Sequence, residues 1–262
     1  MTERKIIIAP LNWGIGHAAR CIPIINLLLI NNFTPIIASD GASLLLLQNE
    51  YPDLESLELP SYGISYAKNL KTSLLFQIPK IHKAVKNEKK VIDKYIKENK
   101  TVVGIISDNR FGVRSTKIPS IYVTHQTQVF SGITTFISSR IHQHIINKFD
   151  QCWIPDSKDQ NLSGKLSNPK KLKIPYKFIG ALSRFTKEQL PIKNDVLIVL
   201  SGIESQRKTL EIKLLTEFKN YVGKVVLVQG KIETNQTIKV QNGIKMYNYL
   251  LSSELEKEIN QN

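Results

Sequence analysis

The chain has 262 residues, of which 42% are hydrophobic and 22% charged, and its formal net charge is +14. This composition excludes a disordered chain and is sufficient for one large domain or two modest domains with a buried core. Cys21 and Cys152 are too few for a disulfide framework, which favours a reducing compartment. Because the sequence has no run of 18 apolar residues and begins with the polar stretch MTERK, it predicts no membrane span, no signal peptide and a cytoplasmic location.

A strand, a glycine-rich loop and a helix are predicted at the beginning of the chain. Residues 6–9 form an apolar run that is typical of a buried parallel strand, and Pro10 ends it. The loop contains Gly14 and Gly16, and apolar residues at helical spacing follow it. Free backbone N–H groups between a strand and a helix bind anions, so this loop is a candidate binding site. His17 is expected at the start of the helix, where the helix dipole favours a neutral imidazole that can accept a proton.

The next 140 residues alternate between strand and helix patterns. Buried strands are predicted over 35–39, 57–59, 102–107, 119–124, 151–155 and 176–180, and a short helix over 41–50. A long helix is predicted from Pro79, because proline suits a first turn and apolar residues recur at 81, 85, 92 and 96. This alternation predicts a doubly wound parallel α/β sheet.

Polar residues follow three of these strands and should meet at one rim of the sheet, at 12–17, 108–114 and 125–128. Asp108 could contact a ligand or form an internal ion pair with Arg110 or Arg114. His125 and Gln126 could contact a ligand or cap a strand, and His17 could merely bond the loop. His142 and His144 are expected at the surface or in an interface. Their i, i+2 spacing on a helix argues against a shared metal ion.

A second unit begins after the polar stretch 183–194, which is predicted to be a linker between domains at 1–182 and 195–262. Strands are expected over 195–201, 224–229 and 244–247, with Gly202 and a helix over 204–220 after the first and Gly230 after the second. This unit has about 68 residues, whereas domains usually have about 100 to 150, so it is predicted to be incomplete.

Residues 14–19 formally match the dinucleotide fingerprint G-x-G-x-x-[GA]. Four residues separate the strand from its first glycine, however, which argues against nicotinamide or flavin binding. The sequence has no zinc-ligand spacing and no phosphate-binding P-loop, so neither a metal nor a cofactor is predicted.

Lysines are concentrated between residues 68 and 100, a stretch that contains ten lysines and only three acidic residues. This stretch could be a solvated helix face, or it could bind an anionic membrane surface at the inner leaflet. An apolar cluster next to it (Leu74, Leu75, Phe76 and Ile78) favours the membrane, and the absence of RNA- or DNA-binding motifs argues against nucleic acid. The predicted contacts are Lys80, Lys83, Lys86, Lys89 and Lys90.

Four segments in order, NWGIGHAAR, SDNRFGVRSTKIPSIYVTHQ, IGALSR and VLIVLSG, resemble glycosyltransferases of the GT-B fold, and most closely the MurG-like family 28 type. The resemblance implies two Rossmann-like domains, one for a lipid-linked or other hydroxyl acceptor and one for a UDP-sugar, with inverting, metal-independent transfer. It implies that His17 is a catalytic base. It places Asn12, Gly14, Gly16, Asp108, His125 and Gln126 on the acceptor side, and Arg184, Ser201, Gly202 and Gly230 on the nucleotide-sugar side.

The family's helix that holds uridine and sugar would follow residue 262, so by this resemblance the chain is truncated in its donor domain. Two alternatives remain open at this point. One is a UDP-sugar epimerase of the same fold. The other is a non-catalytic, membrane-docking half of a split glycosyltransferase.

Overall fold

The computed structural model describes residues 3–63, 70–129, 135–160, 162–169 and 172–262, without the side chains of 70–78 and 135–137. The chain divides into two compact units. The first comprises Met1–Leu11, Pro23–Asp40 and Leu54–Leu182, and the second comprises Asn12–Ile22, Gly41–Asp53 and Ser183–Asn262.

A parallel sheet of seven strands forms the first unit. Its strands are β1 (Lys5–Pro10), β2 (Thr34–Ser39), β3 (Ser56–Glu58), β4 (Val102–Asp108), β5 (Ser120–Val123), β6 (Gln151–Ile154) and β7 (Tyr176–Phe178). Their order is β3-β2-β1-β4-β5-β6-β7, so the chain winds outward in both directions from β1 and β4. In a sheet of this kind ligands bind at this reversal, beyond the carboxyl ends of the strands.

Helices α1 (Gly16–Ile30), α3 (Leu70–Glu98) and α4 (Thr135–Ile146) alternate with these strands, and α2 (Gly41–Glu50) belongs to the second unit. Ile92 and Ile96 of α3 pack with Ile7 and Ile36 in the core of the first unit. The prediction that α3 begins at Pro79 is wrong, because the helix begins nine residues earlier and contains this proline. A proline removes one helical hydrogen bond, and a helix of 29 residues retains the rest.

The second unit contains a sheet of four strands in the order β10-β11-β9-β8. These are β8 (Val196–Val199), β9 (Val225–Val228), β10 (Ile238–Gln241) and β11 (Ile244–Tyr247), with helices α5 (Glu204–Glu217) and α6 (Ser252–Asn260). β8, β9 and β11 are parallel, whereas β10 and β11 form a hairpin. The hairpin turns at Asn242 and Gly243, which both have positive φ, as a tight two-residue turn requires.

The predicted fold class, a doubly wound parallel α/β sheet with a second, smaller Rossmann-like sheet, is confirmed. The sequence analysis did not predict β10. Within the described part of the chain, no helix combines the length and the apolar character needed to span a bilayer.

Candidate functional site

The rim of the first sheet is formed where β1 and β4 end side by side. The backbone N–H of Leu11 donates to the carbonyl of Asp108 at 2.9 Å, which continues the ladder by one step beyond β1. Ser39, at the end of β2, donates its hydroxyl to the carbonyl of Pro10 at 2.7 Å. The side chain of Asp108 is fully buried. The polar residues predicted after β4 therefore do lie at the reversal of the strand order.

His17 is the second residue of α1, and its side chain is half-buried. Its Nδ1 atom is 2.9 Å from Nη2 of Arg20, one turn further along the helix. An arginine side chain can only donate, so Nδ1 accepts this hydrogen bond and a neutral ring carries its proton on Nε2. Gly14, in the preceding loop, has φ +82° and open space where a side chain would stand.

The Asn12 side chain contacts the beginning of helix α2 within the second unit. Its Oδ1 atom accepts from the backbone N–H of Ser43 at 3.3 Å, which satisfies one of the unpaired donors in the first turn of the helix. A Cβ at Gly41, where φ is +52°, would lie 2.4 Å from Nδ2 of Asn12. Asn12 thus fixes the path of the loop that precedes His17.

The loop after β5 carries His125, which is half-buried, and Gln126, which is exposed. Thr124 holds this loop, since its hydroxyl accepts from the backbone N–H of Gln126 at 3.0 Å. The carbonyl of Gln126 accepts a hydrogen bond from the ring of His142. The side chain of Gln126 therefore projects from a backbone that is fixed on both sides.

His142 is only half-buried by its exposed fraction, but its ring packs inside the first unit instead of standing in solvent, whereas His144 is exposed. The ring of His142 packs edge-on against Phe111, with centroids 5.8 Å apart, and against Tyr122 at 6.1 Å. Burial lowers the pKa of His142 to about 4, against the opposing effect of its hydrogen bond to Gln126.

A buried cluster of charges lies beneath the rim of the first unit. Arg110 is fully buried, and its ion pairs join it to Asp40, at the end of β2, and to Glu88, on α3, with Nη1 of Arg110 3.2 Å from Oε1 of Glu88. The sequence analysis considered Asp108 as the partner of Arg110 and did not identify these two carboxylates. Burial of a charge is costly unless it is paired, so Arg110 requires this neighbourhood.

Glu88 also fixes the loop after β4. One of its carboxylate oxygens accepts from the hydroxyl of Tyr62 at 2.8 Å and from the backbone N–H of Gly112 at 3.1 Å. The hydroxyl of Tyr62 in turn accepts from the N–H of Phe111 at 2.9 Å. Burial raises the pKa of Glu88 to about 7, although Arg110 acts in the opposite direction. Because the pKa is higher in the folded than in the unfolded state, this group makes folding less favourable as the pH rises from 4.5 to 7.

Two glycine turns lie at the carboxyl end of the second sheet. Ser201 and Gly202 follow β8 and are exposed; Gly202 has φ +102° and open space on its Cβ side. Gly230 follows β9 with φ +66°, and a Cβ there would lie 2.1 Å from the carbonyl oxygen of Leu200. The two turns approach each other so closely that only glycine fits at 230.

Arg207 connects α5 to the second of these turns. Its buried guanidinium donates to Glu204 at 2.7 Å, to Glu211 at 2.9 Å and to the carbonyl of Gln229 at 2.9 Å. The side chain of Gln229 donates to Glu211 at 2.6 Å. The sequence analysis missed this network, which holds the start of α5 against the end of β9.

Arg184 lies in the same unit and is half-buried. Its guanidinium carbon is 4.9 Å from the ring centre of Phe185. Burial lowers the pKa of Arg184, and the nearby carboxylate of Glu50 opposes this effect.

Comparison with known proteins finds likeness in structure but not in sequence. No protein-family model and no curated protein sequence matches the chain. A UDP-glucosyltransferase from Polygonum tinctorium capable of glucosylating indoxyl superposes with a TM-score of 0.51 at 14% identity, over 86% of this chain and 65% of that one. The glycotransferase of kitacinnamycin gives 0.53 at 11% identity, over 95% and 72%. TcCGT1, solved in complex with UDP, gives 0.51 at 16% identity, over 87% and 64%.

At these identities the likeness establishes the fold, which is the GT-B class that the sequence analysis expected. The chain spans 65% of the length of the Polygonum enzyme.

Proposed function

We propose that this chain acts in the transfer of a sugar from a UDP-sugar to a hydroxyl acceptor, in an inverting reaction that needs no metal ion. The observation that carries the proposal is the pair of glycine turns at the carboxyl end of the second sheet, in a fold shared with UDP-dependent glycosyltransferases. The proposal extends to a MurG-like specificity with a lipid-linked acceptor.

The donor would bind at these turns. Exposed backbone N–H groups beside Gly202, which lies just ahead of α5, suit the diphosphate of a nucleotide sugar. Negative charge increases on the UDP leaving group in the transition state, so fixed donors there lower the barrier. Ser201, Gly230 and Arg184 complete the proposed nucleotide-sugar contacts, and Arg207 holds the turn before Gly230 in place.

The proposed acceptor contacts in the first unit are Asp108, His125 and Gln126. Those in the second unit are Asn12, Gly14 and Gly16, in the loop after β1. His17 would take the proton of the attacking hydroxyl. This makes the hydroxyl oxygen nucleophilic as the bond from the sugar to UDP breaks. His17 belongs to the same compact unit as the donor turns.

Binding of UDP, measured by calorimetry, tests the donor site. Gly202→Ala is expected to weaken UDP binding at least tenfold, because a Cβ at φ +102° strains the turn by about 1–3 kcal/mol and displaces its N–H groups. Gly243→Ala is the matched control, since that glycine also has positive φ and open space but lies in the β10–β11 hairpin. Equal UDP affinities of Gly202→Ala and Gly243→Ala would contradict the proposal that UDP binds at the Gly202 turn. Product analysis of a UDP-sugar with and without an acceptor then separates transfer from epimerisation.

We also propose that α3 docks on an anionic membrane surface. Six exposed lysines lie on one stripe of this helix at intervals of three or four residues, opposite its buried residues Ala84, Glu88 and Ile92. The stripe consists of Lys80, Lys83, Lys86, Lys90, Lys94 and Lys97. Lys89 lies beside it and pairs with Asp93 at 2.7 Å. The side chains of Leu74, Leu75, Phe76 and Ile78 lie outside the described residues.

Reversing three charges of this stripe tests the docking proposal. A triple change of Lys83, Lys86 and Lys90 to Glu is expected to reduce partition into phosphatidylglycerol-containing vesicles by roughly 100-fold, since each lysine contributes about 1 kcal/mol. Reversal of Lys208, Lys213 and Lys219, which are equally exposed near α5, is the control. Sedimentation with vesicles at low and high salt measures the effect, and unchanged partition of the first variant would exclude α3.

A further inference from the structure

A cavity of about 370 Å³ lies beside the edge strand β7 in the first unit, and its lining includes none of the proposed donor or acceptor residues. Its volume is in the range of small-molecule sites, which are typically concave and combine apolar walls with a few polar groups. The residues that line it are Lys158, Gly164, Lys165, Ser167, Asn168, Pro169, Tyr176 and Phe178.

One wall of the cavity is aromatic. Tyr176 and Phe178 are two residues apart on β7 and therefore project from the same face of the strand. Their ring centroids are 6.2 Å apart and their planes meet at 88°, which is an edge-to-face arrangement of the two rings. Tyr176 is 48% exposed, although it is a large aromatic side chain. An accessible tyrosine of this kind can bind the apolar face of a ring-shaped ligand.

The lining also contains two cationic side chains. Lys158 and Lys165 both line the cavity, and among the residues that the structure describes neither forms an ion pair. Two ammonium groups without a carboxylate partner attract an anionic group into a partly enclosed space. Ser167 and Asn168 add polar residues to the lining.

The cavity wall is held in place from two sides. The Asp156 carboxylate accepts from the N–H groups of Leu162 and Ser163 at 2.9 and 3.0 Å, and from the Ser167 hydroxyl at 2.8 Å. From the other side, the hydroxyl of Thr127 donates to the Asn168 carbonyl at 2.6 Å. A site held this firmly loses little conformational entropy when a ligand binds.

We propose that this cavity binds a monosaccharide phosphate. The sugar ring would pack on Tyr176, its hydroxyl groups would hydrogen-bond to the polar lining, and its phosphate would pair with Lys158 and Lys165. The single aromatic face favours a saccharide over a nucleobase, which binds best between two parallel surfaces. The proposal does not depend on whether the chain transfers sugars.

Calorimetric titration with glucose 6-phosphate tests this site. Lys165→Ala is expected to weaken binding at least tenfold, because it removes a charged hydrogen bond to the phosphate. Tyr176→Ala is expected to weaken binding at least tenfold as well, because it removes the aromatic surface on which the sugar ring packs. Lys177→Ala is the matched control, because Lys177 lies between the two aromatic residues and projects from the opposite face of β7. The affinity of Lys177→Ala for glucose 6-phosphate should be within twofold of that of the unmodified protein. Glucose alone and inorganic phosphate alone should each bind at least tenfold more weakly than the combined molecule.

Three outcomes would overturn the proposal. If glucose 6-phosphate does not bind at millimolar concentration, the site is excluded. If Lys177→Ala loses as much affinity as Lys165→Ala, the ligand is attracted to lysines in general and not to this cavity. Adenosine 5′-monophosphate that binds more tightly than glucose 6-phosphate assigns the aromatic wall to a nucleobase. UDP affinity, measured separately with Gly202→Ala, reports on the donor site alone. The failure of the donor-site proposal can therefore be distinguished from the failure of the cavity proposal.

Discussion

Replacing Arg110 by methionine is expected to destabilise the protein by about 3–5 kcal/mol, a large part of the 5–15 kcal/mol typical of a folded protein. Arg110 is fully buried, and its partners Asp40 and Glu88 are 5% and 0% exposed. Without the guanidinium, two carboxyl groups would remain close together in the core with no compensating charge. A shift of the urea midpoint, followed by circular dichroism, measures the loss.

Two further variants separate charge from packing in this cluster. Glu88→Gln should lose less stability than Arg110→Met, because Arg110 retains its ion pair with Asp40. The stability of Glu88→Gln relative to wild type should rise between pH 4.5 and 7, because wild type alone is destabilised over this range by the raised pKa of Glu88. A triple variant with Asp40→Asn, Glu88→Gln and Arg110→Met contains no buried charge, so it should be more stable than Arg110→Met alone. A stability of Arg110→Met within about 1 kcal/mol of wild type would contradict a structural role for the buried ion pairs, because about 1 kcal/mol is the effect of an average point mutation.

The strands of this fold were predictable because buried parallel strands are continuous apolar runs. Residues 6–9, 102–107 and 196–199 have this pattern, and each forms a strand in the structure. The polar residues that follow them could also be placed, since parallel strands end at one edge. The hairpin strand β10 was missed, although Asn242-Gly243 is a strong turn signal, because its alternating apolar residues are few and exposed.

The charge cluster could not be predicted from local patterns. Glu88 lies among lysines on a helix that looks amphipathic, and Arg110 follows a strand 22 positions later; only the packing of α3 against the sheet brings them together. Spacing along the chain carries no information about such contacts. The same reason applies to Arg207 on α5, whose partner carbonyl at Gln229 lies in the turn after β9, 22 positions later. The start of α3 was misplaced because proline at a first turn is a preference and not a requirement.

If His17 is the base of the proposed sugar transfer, His17→Ala is expected to reduce kcat by about 10²–10⁴-fold, as the loss of a general base does, with a much smaller change in KM for the donor. A variant within about threefold of wild type would exclude this role, since that loss is far below the 10² of general-base catalysis. His17→Gln retains a similar size and hydrogen-bonding capacity but accepts no proton at neutral pH. Equal losses in the two variants would therefore assign the effect to proton transfer, whereas rescue by Gln would assign it to positioning.

The contact with Arg20 determines how His17 could serve as a base. In the structure the lone pair on Nδ1 faces the guanidinium, so the Nε2 atom of a neutral ring holds a proton and cannot accept another. Proton acceptance at Nε2 requires the other tautomer, in which Nδ1 donates and Arg20 has moved away. Arg20→Met removes the obstacle and should therefore retain most of kcat, unlike His17→Ala. If Arg20→Met instead loses as much activity as His17→Ala, Arg20 is not an obstacle and the two side chains act as one unit. Single-turnover rates for the three variants, measured with saturating donor, distinguish these two mechanisms because they isolate the chemical step from product release.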